Sequence, residues 1–311
     1  MQKQVEFFLS VLKSARPRQW IKNLSAFAAI IFSGDFFNAN KFYPVFYSFL
    51  ILCFLTSSVY LINDILDEEQ DKFHPFKKNR PIPSGKLSKK QALLASIILS
   101  IIGLAWGYQI SLSLFSVLLI FLVVELSYSL FLKNIIILDF ITIASAFMIR
   151  IFVGSIVVLI SLSSWLILTT MMLSLFLAIG KRRLEVTLLG HTQAIKHRKV
   201  LNFYPSFLLD GFTFMSAVAT LITYSLFTFN EAEFISRKVV LKFLPPTLAS
   251  PKWLMSTIPL VVYGIFRYLY LIYEKREGES PEKVLLNDFP LFITVILWII
   301  SVFLVVYVLG K

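Results

Sequence analysis

The sequence predicts an all-α, polytopic integral membrane protein with about nine transmembrane helices. Its 311 residues are 57% hydrophobic and only 15% charged, whereas soluble domains are about 45–50% apolar and about 25% charged. A soluble fold of this length could not bury so much apolar surface. The apolar residues form long continuous runs rather than alternating ones, which favours helices over a transmembrane barrel. The composition therefore excludes a soluble globular enzyme, a disordered chain and a fibrous protein.

Nine apolar stretches are candidate membrane spans, since a helix needs about 20 mostly apolar residues to cross a bilayer. The first is short and borrows Trp20 and Ile21 at its start. The connections are too short to hold a soluble domain, so we expect one transmembrane domain over residues 1–311. Residues 1–23 are charged and predict no cleavable signal peptide. The candidate spans are 24–37, 44–62, 92–109, 112–132, 135–160, 164–180, 202–227, 253–273 and 289–309.

The positions of lysine and arginine predict the orientation of the chain. With the connections numbered alternately, 22 of the 30 Lys and Arg residues lie in the set that begins with residues 1–23, and six lie in the other set. Positive charge collects on the cytoplasmic side of a membrane. We therefore expect an N-terminus in the cytoplasm and a multi-pass protein of the cell (plasma) membrane. Topology and phosphate-rich ligands explain the net charge of +12, so we expect no nucleic acid partner.

One polar cluster is not explained by topology. Asn63, Asp67 and Asp71 are spaced i, i+4, i+8 after the second candidate span, which places them on one face of a helix. Carboxylates in one stripe repel each other, and a divalent cation between them removes that cost. Mg²⁺ takes one or two carboxylates and completes its shell with substrate phosphates and water. The spacing predicts a Mg²⁺–diphosphate site at the membrane surface, and the alternative is a solvated acidic helix end.

Cations follow the acidic run in a segment stiffened by proline and glycine. Lys77 and Arg80 lie in this segment, and we expect them opposite the acidic face. Arginine grips phosphate with two parallel hydrogen bonds, so both residues are candidates for binding a diphosphate. The alternative is that they only set topology.

Asp139 and Arg150 lie inside the otherwise apolar run 135–160. Ionisable groups at membrane depth cost at least about 2.5 kcal/mol and usually face a cavity or a partner. Together with Tyr128 and Lys133, which close the preceding span, they predict a polar cleft open to the cytoplasm. The alternative is a structural intramembrane ion pair between Arg150 and Glu125.

These residues resemble the UbiA-like superfamily of integral-membrane transferases, whose marker Asn-x3-Asp-x3-Asp is matched by Asn63, Asp67 and Asp71. The chain looks most like the branch of polyprenyl-phosphate phosphoribosyltransferases, and the resemblance runs essentially end to end. The superfamily leads us to expect nine helices around a central cavity that faces the cytoplasm. The stretches that carry the closer likeness are 16–23, 63–85, 128–133 with Asp139, 180–182, 263–268, and 280–282 with Asp288.

One departure from the superfamily separates two activities. Members that use prenyl diphosphates usually carry a second motif, Asp-x3-Asp, but here Asp139 is followed four residues later by Ile143. This weakens the alternative of a UbiA-like prenyltransferase that moves a prenyl group to an aromatic or other acceptor. A transporter would carry intramembrane charges through the depth of several helices, whereas here the charge gathers at one predicted cytoplasmic face. A non-catalytic scaffold would leave the acidic stripe unexplained.

The resemblance implies Mg²⁺-dependent transfer of 5-phosphoribosyl from 5-phosphoribosyl 1-diphosphate to a polyprenyl (decaprenyl-like) phosphate, with release of diphosphate, in cell wall biosynthesis. The partners are then these two substrates and membrane lipid, and a homo-oligomer is left open. Asn63, Asp67 and Asp71 would hold the metal, and Asp67, Asp139 and Lys133 are the candidate catalytic residues. The candidate substrate-binding residues are Arg18, Lys22, Lys77, Arg80, Tyr128, Arg150, Lys181, Arg182 and Arg267.

Overall fold

The computed structural model describes residues 2–73, 77–189, 200, 203–230, 252–275 and 281–309, and every regular element among them is helical. The first half contains α1 (Gln2–Ala15), a 3-10 helix (Pro17–Phe27), α2 (Ala28–Phe32), α3 (Ala39–Leu66), α4 (Glu68–Lys72), α5 (Lys89–Ile110), α6 (Leu112–Leu130) and α7 (Leu138–Val158). The second half contains α8 (Ser164–Leu189), α9 (Ser206–Asn230), α10 (Ile258–Tyr270), α11 (Pro281–Asn287) and α12 (Phe289–Phe303).

The predicted spans from the second to the ninth each correspond to a long apolar helix. Among the described residues, eight helices are long and apolar enough to cross a membrane. This confirms an all-α, polytopic fold, but it does not confirm the count of nine. The central cavity and its direction also stay predictions.

The first candidate span, 24–37, is not one helix. The 3-10 helix occupies its start, and the short α2 ends at Phe32. The polar residues Ser33 and Asp35 follow, and Gly34 between them has a φ of 76°, a left-handed conformation that favours glycine and ends a helix. The expectation of a spanning α-helix over these residues was therefore wrong.

The chain divides into two compact units. The first comprises residues 1–29, 38–160 and 196–200, and the second comprises residues 30–37, 161–195 and 201–311. The expected single domain stays a prediction.

α3 is the central helix of the first unit, and most of its apolar stretch is buried. Its residues Leu52 and Leu55 pack with Leu118 and Phe121 of α6 in one buried cluster. The 3-10 helix crosses α7 closely, because a Cβ atom at Gly154 would lie 1.8 Å from a backbone carbonyl oxygen of the 3-10 helix. Only glycine permits that approach.

In the second unit, α8 packs along α9, and two apolar clusters join them to the helices that follow. Tyr307, in the helical turn after α12, fixes one end of this unit. Its hydroxyl group donates to the carbonyl oxygens of Ile30 and Ile31 at 3.1 and 3.0 Å and accepts from the backbone N–H of Phe36 at 3.1 Å.

Candidate active site

The acidic run continues the helical register of α3. The backbone N–H of Asp67 donates to the carbonyl oxygen of Asn63 at 2.9 Å, and the N–H of Asp71 donates to that of Asp67 at 2.8 Å. These i to i+4 hydrogen bonds carry the turn from α3 into α4. The predicted stripe of Asn63, Asp67 and Asp71 therefore lies on a continuous helical path at the end of α3.

Lys133 contacts the middle of this stripe. Its Nζ atom lies 2.6 Å from Oδ1 of Asp67 and 3.4 Å from Oδ1 of Asn63. Asn63 in turn donates from Nδ2 to the second oxygen of Asp67 at 2.9 Å. The structure thus brings Lys133, a predicted catalytic residue, into contact with Asn63 and Asp67, two predicted metal ligands. One oxygen atom of each ligand faces the Lys133 ammonium group.

A strained turn follows Lys133. Ile137 has a φ of 69° and a ψ of −45°, and the N–H of Leu138 donates to the carbonyl oxygen of Ile136 at 2.8 Å. This is a γ-turn, a conformation that costs energy for a β-branched residue. It turns the chain directly into α7, which begins at Leu138.

Asp71 is buried and lies against two cations. Nη1 of Arg80 is 2.5 Å from Oδ2 of Asp71, and Nζ of Lys77 is 4.0 Å from Oδ1. Burial raises the pKa of the Asp71 carboxyl above its usual value, and the positive charges of Arg80 and Lys77 partly offset that rise. The prediction that these two cations lie opposite the acidic face is consistent with the structure.

Sequence reasoning gave no role to Arg16 and Asp64, yet both belong to this cluster. Asp64 is 1% exposed, and one of its oxygens accepts hydrogen bonds from Arg16 and from Arg80, the latter at 3.2 Å. The signal was present, because Asp64 is a carboxylate in the last turn of an apolar helix and Arg16 precedes Pro17 in a basic stretch. Neither lies on the i, i+4, i+8 stripe, so the spacing argument did not find them.

The residues present fit a hard divalent cation by chemistry. Asn63 and Asp67 direct oxygen atoms to a point where a cation, the Lys133 ammonium, is already held. Within the described residues, no group of three or more His, Cys, Asp and Glu side chains converges on one metal-sized site, and Asp71 contacts Arg80. This suits Mg²⁺, which needs only one or two protein carboxylates when substrate phosphates complete its shell.

Arg150 and Asp139 do not line an open cleft. Arg150 is 3% exposed and Asp139 is fully buried, so the expected cleft was wrong for both. Arg150 donates to Glu125 at 2.8 Å and to Asn23 at 2.9 Å. The structure therefore shows the intramembrane ion pair that the sequence left as the alternative, because an unpaired guanidinium at this depth would be costly.

The remaining predicted cations lie in other surroundings. Arg18 is exposed and Lys22 is half-buried, both on the 3-10 helix, and Tyr128 is half-buried near the end of α6. Lys181 and Arg182 lie on α8 of the second unit, where Arg182 is fully buried and pairs with Glu185 at 3.0 Å. Their roles in substrate binding stay predictions.

Arg267, also in the second unit, forms a two-pronged pair with Asp288. Nε and Nη2 of Arg267 lie 3.0 and 2.8 Å from the two oxygens of Asp288. Asp288 also caps α12, accepting from the N–H of Leu291 at 3.0 Å. The pair therefore stabilises a helix start, and a role for Arg267 in substrate binding stays a prediction.

Comparison with known proteins places this geometry in a family. The model of the UbiA prenyltransferase family matches residues 24–296. Decaprenyl-phosphate phosphoribosyltransferase of Mycolicibacterium smegmatis is 34% identical over 96% of this chain and 92% of its own length. The enzyme of the same name from Corynebacterium glutamicum is 30% identical over 96% of this chain and 87% of its own length.

The fold is also that of a solved structure. A UbiA homolog from Archaeoglobus fulgidus bound to GPP and Mg²⁺ matches with a TM-score of 0.66 and 19% identity, over 96% of this chain and 99% of that one. Together with the family match over 24–296, this leads to one conclusion. The chain belongs to the UbiA prenyltransferase family.

Proposed function

We propose that this protein is a polyprenyl-phosphate phosphoribosyltransferase, which transfers 5-phosphoribosyl from 5-phosphoribosyl 1-diphosphate to a polyprenyl phosphate. The observation that carries the proposal is the identity of 30–34% to decaprenyl-phosphate phosphoribosyltransferases over 96% of the chain. The cluster of carboxylates and cations at the end of α3 supports it, since these groups suit a phosphate-rich donor.

The reaction requires little proton transfer. An ionised oxygen of the lipid phosphate attacks C1 of the ribose, the bond from C1 to the diphosphate oxygen breaks, and the diphosphate leaves with the electron pair. The acceptor is already an anion near neutral pH, so it needs no strong general base. What the site must do is bring two anions together and neutralise the charge that develops on the leaving group.

The cations of the cluster can perform that neutralisation. Lys133, Lys77 and Arg80 now contact carboxylates, and each can exchange part of that contact for a phosphate oxygen of the donor. Positive charge that builds at C1 would be stabilised by a carboxylate, for which Asp67 is the better placed candidate. Asp139, the other candidate, is fully buried.

Asn63, Asp67 and Asp71 are the residues that would hold Mg²⁺. When bound, the metal supplies Lewis-acid neutralisation of the diphosphate. The protein's own part is to present hard oxygen atoms in the helical register of α3 and α4. It also keeps Lys133 and Arg80 next to those oxygens. The two cations would then stay close to the diphosphate when the carboxylates bind the metal ion instead.

The positive-inside bias supports a plasma membrane protein with its N-terminus and active site in the cytoplasm. The water-soluble donor would then arrive from the cytoplasm, and the lipid phosphate would meet it at the interface. The second candidate function is prenyl transfer, which the family's name and the GPP-bound neighbour favour. Ile143, at the position where a second acidic motif would continue, weighs against it.

A transfer assay tests the proposal. The purified protein in detergent is given labelled 5-phosphoribosyl 1-diphosphate, Mg²⁺ and polyprenyl phosphates of several lengths, and the lipid fraction is counted. We expect label in the lipid with wild type, almost none with Asp67→Asn or Asp71→Asn, and normal transfer with Glu69→Gln, whose side chain is 75% exposed and outside the site. No label in any lipid, together with prenyl transfer when a prenyl diphosphate and an aromatic acid are supplied instead, would refute it.

A further inference from the structure

We infer that Asp64 is a positioning residue, which holds the guanidinium groups of Arg16 and Arg80 in place for the diphosphate of the donor. The inference rests on the proposed function and adds to it two parts, a phosphate-binding role for Arg16 and a supporting role for Asp64. Neither residue lies on the metal stripe.

The first observation is that one buried oxygen joins two distant segments. Oδ1 of Asp64 accepts from Nη2 of Arg16, which lies between α1 and the 3-10 helix, and from Nη1 of Arg80, which follows α4. The arginines are 48 and 16 residues away from Asp64 in the sequence. Since Arg80 also contacts Asp71, Asp64 and Arg80 together connect Arg16 to the acidic stripe.

The second observation is a gradient of exposure. The side chain of Asp64 is 1% exposed, whereas the side chains of Arg16 and Arg80 are 23% and 25% exposed. Each guanidinium has five N–H donors, and one carboxylate oxygen uses only one donor of each. The buried Asp64 therefore contacts two partly exposed arginines, and these contacts leave other guanidinium N–H groups available to an anion.

The third observation is that stability alone does not account for this arrangement. A buried carboxylate is costly unless it is well paired, yet Oδ2 of Asp64 has no hydrogen-bond partner among the described residues. Arg16 has a φ of 52°, a left-handed conformation that is unfavourable for a residue with a side chain. Its guanidinium also lies 4.7 Å from the centre of the Tyr60 ring. The unpaired oxygen of Asp64 and the left-handed backbone of Arg16 are both unfavourable, and both belong to the arrangement that holds one arginine in place. Local strain of this kind is typical of a binding site.

Asp64 does not need to touch substrate in this account, because it acts through the two arginines. Its removal should therefore weaken donor binding while the chemical step is little changed. At metal sites, loss of the partner that orients a ligating residue costs about 10- to 100-fold in affinity or activity, and Asp64 orients the two arginines in a comparable way. We expect a rise of that size in the KM for phosphoribosyl diphosphate.

The experiment measures kcat and both KM values for wild type, Asp64→Asn, Arg16→Ala and the double variant. Glu69→Gln is the matched control, since it makes the same change on an exposed carboxylate five residues away. We expect each single variant to raise the KM for the donor, with the KM for the lipid phosphate and the melting temperature little changed. The double variant should lose less than the product of the two single losses, because Asp64 acts partly through Arg16 and that part cannot be lost twice.

Three results would overturn the inference. They are an unchanged donor KM in Asp64→Asn, effects that multiply in the double variant, and a loss that appears only as a higher Mg²⁺ requirement. If Asp64→Asn does not fold, Asp64→Glu keeps the charge and displaces it by one methylene, and an unchanged donor KM in that variant contradicts the inference equally. A wild-type protein without any phosphoribosyl transfer would instead refute the proposed function, so the two failures are distinguishable.

Discussion

Removing the charge of Glu125 should destabilise the protein, because Glu125 is the ion-pair partner of the buried Arg150. Glu125→Gln removes the charge 2.8 Å from Nη2 of Arg150 and keeps the shape of the side chain. Arg150 is then a buried cation, 3% exposed, in a membrane-spanning helix. Removing one partner of a buried ion pair costs about 3–5 kcal/mol, because the other charge stays buried without compensation.

The surroundings place the expected cost at the low end of that range. Arg150 keeps its hydrogen bond to Asn23, and its guanidinium lies 4.8 and 5.2 Å from the ring centres of Phe121 and Phe147. The side chain of Glu125 is itself 19% exposed, so the pair is not completely buried in the protein. We therefore expect Glu125→Gln to lower the free energy of unfolding by about 3 kcal/mol.

A double-mutant cycle measures this pair. The free energy of unfolding is obtained in detergent micelles by titration with sodium dodecyl sulfate, followed by tryptophan fluorescence, for Glu125→Gln, Arg150→Met and the double variant. The double variant should recover most of the loss, because it leaves no buried charge. If Glu125→Gln leaves the stability unchanged, and Arg150→Met lowers turnover without unfolding the protein, Arg150 binds phosphate as the sequence first indicated.

Four further predictions concern other parts of the fold and site. Gly154→Ala should destabilise by several kcal/mol, since its Cβ would lie 1.8 Å from a backbone oxygen. Gly211→Ala, with nothing within 4 Å, should stabilise α9 by about 0.5–1 kcal/mol, and thermal unfolding checks both. Lys133→Met should lower kcat on the order of 100-fold, with an unchanged melting temperature. Hydrogen bonds, chiefly from Lys89, lower the pKa of Glu68. The stabilisation from Glu68 should therefore be present above its unfolded-state pKa and lost as the pH falls through its folded-state pKa. The fall in stability at acidic pH should be shallower in Glu68→Gln than in wild type, and an unchanged fall would show that Glu68 contributes nothing.

The sequence was most informative where hydrophobicity or helical spacing alone decides the structure. Eight of the predicted spans correspond to long helices in the structure. The stripe of Asn63, Asp67 and Asp71 lies in the predicted helical register. The prediction of a first span over residues 24–37 was wrong because Gly34 and its polar neighbours end the helix, although most residues of the stretch are apolar.

The rest of the site depends on contacts between distant segments. Asp64 and Arg16 are 48 residues apart, and no local spacing relates them. The choice between a phosphate-binding Arg150 and an ion pair was left open for the same reason, since only the packing of α6 against α7 shows that Glu125 reaches it.

In the proposed reaction, the lipid phosphate attacks the ribose and keeps its own oxygen atoms. The most direct test supplies polyprenyl phosphate that carries a heavy oxygen isotope in the phosphate group, with unlabelled 5-phosphoribosyl 1-diphosphate, and follows the isotope by mass spectrometry. We expect the isotope to stay in a lipid product that has gained phosphoribose, and the released diphosphate to contain none. Isotope released from the lipid, with phosphoribosyl diphosphate unconsumed, would contradict it.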